Sequence, residues 1–331
     1  MNRIKPQKIY APLYHNKDKF IFLVTGGRGC ESPTTRIMMS DLSVKMIKDI
    51  KVGDKVMGDD GTPRNVLETL HGYSDMYRVK QKNAEDYIVN DGHILTIKKN
   101  NACKTPYGVC KDGSPRRPNG RYPQYADVTD IPVLEYKDKS EKFKNSFVGF
   151  KSGSIPYKEQ SVNIEPYMLG LWLGDGTSIF PRITNPDKEV LTYLEDYCAL
   201  NGQRLYKIWK QGAWHIGIVS NDRKKGSNIF LNNLRGYNLI GNKHIPQCYI
   251  SNSENVRLEL LAGLLDTDGT CDKQDYEITQ KSHKLSMQIK FIADTLGFRT
   301  HISDKKVKGN VYYRINISGD ICRLPLPLAS L

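Results

Sequence analysis

The feature that most constrains the fold is an internal repeat in the second half of the chain. One copy runs YMLGLWLGDGT (Tyr167–Thr177), a strand over Ile179–Thr184, a helix from Lys188 to Leu200, then NGQRLYKI and WHIGIVSND. The other runs LLAGLLDTDGT (Leu260–Thr270), DYEITQ, a helix from Lys284 to Leu296, then GFRTHISD and YYRINISGD. A repeat that reproduces element order along with its glycine and asparagine punctuation predicts one supersecondary unit used twice. In the second copy Leu258, Leu261, Ala262 and Leu265 fall at i, i+3, i+4 and i+7, one face of a helix. Small residues interleave with them (Ala262 and Gly263 here, Gly170 and Gly174 in the first copy), so two such helices can pack with their backbones close. Each ends in Asp-Gly, a helix stop. Pairing the helices about a pseudo-twofold brings Asp175 and Asp268 side by side. Two adjacent carboxylates repel, and a hard divalent cation relieves that repulsion. A paired metal site of this kind suits in-line displacement at phosphorus.

These residues carry a resemblance. Both helices resemble the signature helices of the LAGLIDADG homing endonucleases, the second almost letter for letter, and the likeness extends over residues 161–331. The resemblance implies a two-repeat, pseudo-symmetric αββαββα domain: a saddle of two four-stranded sheets in the DNA major groove, cutting both strands with Mg²⁺ or another hard divalent ion. It makes Asp175 and Asp268 the catalytic, metal-binding acids. Asn242-Lys243-His244-Ile245-Pro246 resembles the K-x-I-P block of intein-borne members, which makes Lys243 a charge stabiliser. For the second copy, Lys305, Lys306 and Lys308 compete for the same role. Thr184 or Asn185 on one strand, and Gln280 on the other, are placed to orient water at the site. The first helix departs from the pattern at Leu173 and Gly174, where the second has Asp266 and Thr267. Since one chain supplies both copies, the implied endonuclease is a monomer.

The N-terminal part poses a different question. FIFLVTGGRG (Phe20–Gly29) prepares a phosphate-binding loop, yet no G-K-[ST] follows. Instead the chain continues CESPTTRIMMSD and MIKDIKVGDKVMGDDG, with short strand patterns at Val44–Ile50, Lys55–Met57, Met76–Lys80, Tyr87–Val89 and Ile94–Ile97. Their spacing predicts a small all-β domain. The run closely resembles an intein N-terminal block, and VNDGHILTI the second splicing block, with Asn90 in place of its usual threonine. The resemblance implies a partial, horseshoe-like Hint splicing domain over 30–100, hence a mixed α+β chain overall. The thiol of Cys30 would attack the carbonyl of Gly29 while His93 protonates the departing nitrogen, chemistry suited to both side chains.

YAPLYHNKDKFIFLVTGGRG resembles the opening of phage terminase large subunits. Residues 1–29 are then a host flank, and the expected DNA partner is the intein-free allele of that gene. No terminal His-Asn follows, so the reading calls for a complementary C-terminal intein fragment. An inert DNA-binding remnant and the N-terminal half of a split intein are the competing readings.

Residues 101–160, with their GSPRRPNGRYPQY loop, read as a basic linker or a DNA-contacting insertion. Formal net charge is +13, which fits a polyanionic partner. Seven cysteines without C-x-x-C spacing point to neither a zinc site nor a disulfide framework. No apolar run reaches the ~18 residues of a membrane span, and MNRIKPQKIY lacks a signal-peptide core. The expected location is the cytoplasm of a phage-infected host.

Overall fold

The computed structural model describes residues 24–25, 31–58, 60–69, 71–81, 85–99, 128–151, 153–222, 224, 226–272 and 275–325. The chain divides into two units, Met1–Gln81 with Asp86–Ser152, and Gly153–Leu331 with Lys82–Glu85.

The first unit is a set of short strands: β1 (Val24–Thr25), β2 (Arg36–Met38), β3 (Val44–Met46), β4 (Lys55–Met57), β5 (Pro63–Asn65), β6 (Glu68–Thr69), β7 (Met76–Val79), β8 (Tyr87–Asn90) and β9 (Ile94–Lys99). The pairs β2–β3, β4–β5 and β7–β8 are antiparallel, and β1 lies parallel to β6. All the strands expected from pattern are present, although the one at Val44 gives way to a helical turn at Ile47–Asp49. Two small cores hold the unit. Met39, Ile50, Val56 and Val66 form one, and Val89, Leu95, Ile97, Ile131 and Val133 the other.

The second core corrects the linker reading. Residues 128–149 form β10 (Val128–Pro132), α1 (Val133–Asp138), α2 (Glu141–Asn145) and β11 (Phe147–Gly149). Strands β10 and β11 flank β9 in one antiparallel sheet. Ile131 and Val133 bury their side chains there, with Phe143 and Phe147 packed against them. The GSPRRPNGRYPQY stretch lies outside the described residues.

In the second unit come α3 (Pro166–Asp175), β12 (Arg182–Asn185), α4 (Lys188–Leu200), β13 (Gln203–Lys210), β14 (Ala213–Ser220), α5 (Ile229–Gly236) and α6 (Gln247–Ile250). The second copy follows: α7 (Glu254–Asp268), β15 (Gly269–Asp272), β16 (Asp275–Gln280), α8 (His283–Thr295), β17 (Arg299–Val307) and β18 (Asn310–Ser318). Glu165 caps α3 by accepting from the backbone N–H groups of Tyr167 and Met168, and Pro166 occupies the first helical position. Pro166 to Leu173 are all buried, and so are Leu260 to Leu265 of α7. A helix buried on every side needs no amphipathic stripe.

The two helices run parallel in near-backbone contact. A Cβ on Gly170 would stand 2.4 Å from the Leu260 carbonyl oxygen, and one on Gly263 would stand 2.2 Å from that of Tyr167. Only glycine allows this approach.

The sheets are unequal, contrary to the expectation of two four-stranded ones. The second copy has the order β15-β16-β18-β17, whereas the first has only β12-β14-β13. Where β15 would stand, the first copy has a single bridge between Gly176 and Ile183. The Thr177–Phe180 turn shortens that strand, and its Phe180 carbonyl accepts from the Trp172 indole N–H at 3.1 Å. The fully buried Arg257 ties Ile155 to the body of the unit, donating to the carbonyls of Ile155 and Asn252 and to the Thr295 hydroxyl.

Candidate active site

The close pairing of α3 and α7 delivers both motif aspartates to one end of the helix pair. A Cβ placed on Gly174, the residue before Asp175, would lie 3.4 Å from Asp268 Oδ2 and 2.0 Å from Thr267 Oγ1. The departure from the repeat at Gly174 therefore has a steric reason: it makes room for Thr267. The departure at Leu173 pairs with another asymmetry. Asp266 accepts from the Tyr167 hydroxyl at 2.8 Å, a contact that no sequence signal announced.

Each aspartate is held by an amide from the end of a later strand, β12 for Asp175 and β16 for Asp268. Asn185 Nδ2 donates to Asp175 Oδ2 at 2.6 Å, and Gln280 Nε2 donates to Asp268 Oδ2. Asn185 is 2% exposed, and its own Oδ1 accepts from Asp187 N at 2.8 Å. Of the two candidates on β12, Asn185 faces the site. Thr184 points to the other face, 3.4 Å from His215 Nδ1, because side chains alternate along a strand.

Lys243 completes the cluster. Its Nζ donates to the carbonyls of Leu173 and Gly174 at 2.9 and 3.0 Å and lies 5.3 Å from the centre of the Trp172 ring. A cation there meets the negative end of α3. Burial lowers the Lys243 pKa to about 8, and the charges of Asp268 and Asp175 oppose that shift. Burial raises Asp175, with the Asn185 hydrogen bond and Lys243 working the other way. Asp268 is pushed up to about 6 by burial and then by the charge of Asp175.

Lys306 and Lys308 are not brought to this cluster. Gln280 shares a cross-strand row with Tyr313 and Asp304, and Lys306 and Lys308 lie beyond it at the β17–β18 turn. The charged groups that perturb Asp268 are Asp175 and Lys243. Lys305, one residue past the row, is likewise not among them.

In the first unit, Gly29 and Cys30 lie outside the described residues. Asn90 closes β8, and His93 follows it in the turn to β9, its N–H donating to the Asn90 carbonyl at 3.2 Å. The His93 carbonyl accepts from Val133 N at 2.8 Å. Glu31 bridges Val89, and Ser32 N donates to the Ile88 carbonyl at 2.9 Å. Residues 31–32 thus run beside β8, whose end leads into the Asn90–His93 turn.

Comparison with known proteins finds a match in each half of the chain. Residues 30–117 match the Hom_end-associated Hint family, and residues 255–323 match the LAGLIDADG-like domain family. The chain is 29% identical over 267 residues to the replicative DNA helicase DnaB of Mycobacterium intracellulare, covering 79% of this chain and 41% of that protein. It is 24% identical over 317 residues to the homothallic switching endonuclease of Saccharomyces cerevisiae, covering 85% of this chain and 52% of the relative. This chain thus spans about half or less of these relatives' lengths. A solved structure of I-DmoI in complex with DNA and Mn aligns with a TM-score of 0.35 at 18% identity, over 47% of this chain and 89% of that one. Two separate stretches of the chain are thus similar to known families, the first to the Hom_end-associated Hint family and the second to the LAGLIDADG-like domain family.

Proposed function

We propose that the second unit is a site-specific endonuclease that hydrolyses both strands of duplex DNA at the Asp175–Asp268 site. The observation that carries this reading is the convergence of two helix-terminal carboxylates, each held by a strand amide, around one half-buried lysine. Such a cluster is arranged for a substrate that brings negative charge.

The donor set fits a hard divalent ion such as Mg²⁺. Asp175 and Asp268 are half-buried and repel each other, and a cation between or beside them relieves that strain. Among the described residues no group of three or more His, Cys, Asp or Glu forms a metal cage. Mg²⁺ is commonly held by one or two carboxylates, with water and substrate phosphate completing the shell. When bound, the ion would polarise the scissile phosphate and stabilise the attacking and leaving oxygens. Asn185 and Gln280 keep the carboxylates oriented. Lys243, protonated for the most part at neutral pH with its pKa near 8, sets positive charge where the phosphate gains negative charge.

The first unit, in this proposal, is an intein-type splicing region. The Cys30 thiol gives up its proton to solvent and its sulfur attacks the Gly29 carbonyl carbon, the Gly29–Cys30 C–N bond breaks, and a thioester replaces it. His93 supplies the proton that the departing nitrogen takes up, and Asn90 supports the turn that presents His93. The flank ending in GGRG belongs to a terminase large subunit, so the DNA target is the uninterrupted copy of that gene.

The test is cleavage of a plasmid carrying the uninterrupted terminase sequence, with Asp268→Asn as the variant. Cutting that requires Mg²⁺ and is lost in Asp268→Asn, with DNA binding retained, is the expected result. Undiminished cutting by the variant would remove Asp268 from the mechanism.

A further inference from the structure

The two sheets of the second unit present chemically unlike faces on the side away from the helices. In the first, Ile183, Leu205, Ile216 and Ile218 pack toward the core. Alternation turns the rows Thr184–His215–Ile208 and Arg182–Gly217–Tyr206 the other way. Tyr206 is 58% exposed and Ile208 45%, an unusual amount of apolar surface for the middle of a strand. Arg182, Arg204 and Lys210 share this face, and no carboxylate does.

The corresponding rows of the second sheet are Thr270–Glu277–Asn316–His301 and Thr279–Arg314–Ser303. They carry hydrogen-bonding groups throughout, and Glu277 pairs with Arg314 at 2.9 Å. Within these two rows there is no aliphatic side chain; Val307, on the same face, stands at the β17–β18 turn.

A duplex offers matching differences. In the major groove the thymine 5-methyl is the apolar feature, while amide and charged side chains pair with the base edges of adenine, guanine and cytosine. Cations without opposing carboxylates suit the flanking phosphates. Resting on the endonuclease reading above, we propose that the two half-sites of the DNA target are read by different chemistry. The β12–β14–β13 sheet reads thymine methyl groups through Ile208 and Tyr206. The four-stranded sheet reads base edges by hydrogen bonding, with Asn316 as its central contact.

The test begins with selection of bound sequences from a randomised duplex library using the full chain. Each thymine of the selected site is then replaced singly by deoxyuridine, which removes only the methyl. Losing one buried methyl corresponds to about a fourfold loss of affinity. We expect penalties of that size confined to one half-site and diminished in Ile208→Ser, whose exposed position leaves the core untouched. Asn316→Ala should leave those penalties unchanged while relaxing base preference about tenfold in the other half-site. Penalties spread over both half-sites, or surviving Ile208→Ser undiminished, overturn the assignment. Failure to select any discrete sequence overturns instead the endonuclease reading on which it rests.

Discussion

At the scale of single residues, the candidate site turns on Lys243. Its ammonium bridges the last carbonyls of α3 and feels both aspartates, so its charge serves the helix terminus and the site together. Replacing it with methionine keeps most of the buried stem while removing the charge. Lys243→Met should lower the single-turnover cleavage rate by about 10²- to 10³-fold, the range for removing one preorganised electrostatic contact. DNA affinity, measured separately by titration, should change little; equal losses in both would make the lysine a binding residue instead. The sequence made Lys243 visible through its Asn-Lys-His-Ile-Pro setting. It left Asn185 and Thr184 open, because only strand phase separates the residue that bonds Asp175 from the one that faces away. Lys305, Lys306 and Lys308 all precede YYRINISG, where the resemblance expects the second copy's lysine, but the register of the β17–β18 hairpin carries them past the row containing Gln280. Register is set by long-range pairing, which a local reading does not contain.

At the scale of elements, the α3–α7 pair was the most legible part of the chain and is also its most exacting. Small residues in a helical frame signal close packing, and the structure has no space at Gly263, where a Cβ would meet the Tyr167 carbonyl oxygen at 2.2 Å. Gly263→Ala should therefore force the helices apart and destabilise the unit by about 2 kcal/mol or more in urea unfolding. Gly236, at the end of α5, is the control, since nothing lies within 4 Å of its Cβ position. Alanine there should be neutral, or stabilising by up to about 1 kcal/mol. Should both variants unfold at the wild-type midpoint, the backbone contact at Gly263 would not be limiting. Legibility fell where elements depend on partners. The strands and helices of 128–149 exist because Ile131, Val133 and Phe147 cover β9, and a linker composition upstream hid that pattern. The lost fourth strand of the first sheet was equally hidden, because the Gly176–Ile183 bridge differs from β15 in length and not in kind.

At the scale of the whole molecule, a net charge of +13 and two separate units set different expectations. If phosphate contacts dominate DNA binding, affinity should fall about a thousandfold or more between about 50 and about 200 mM salt, as for a protein making six or more such contacts. A shallow dependence in a fluorescence titration would shift the binding energy to the apolar face around Ile208. The second expectation is that the two chemistries separate by mutation. In the proposed function acyl transfer at Cys30 uses His93 of the β8–β9 turn, whereas phosphodiester cleavage uses the α3–α7 helix ends, and the two residue sets have no member in common. With a complementary C-terminal intein fragment added, dithiothreitol should cleave a thioester at Gly29–Cys30 by thiolysis, releasing the first 29 residues as a peptide visible by mass spectrometry. That peptide should be absent from Cys30→Ala and should form about a hundredfold more slowly in His93→Ala, the lower range for loss of a general acid. Both variants should cut DNA at the wild-type rate, and Asp268→Asn should release the peptide at the wild-type rate. Loss of cutting in Cys30→Ala would mean that the endonuclease needs an intact splicing region, and the two units would then have to be treated as a single catalytic machine.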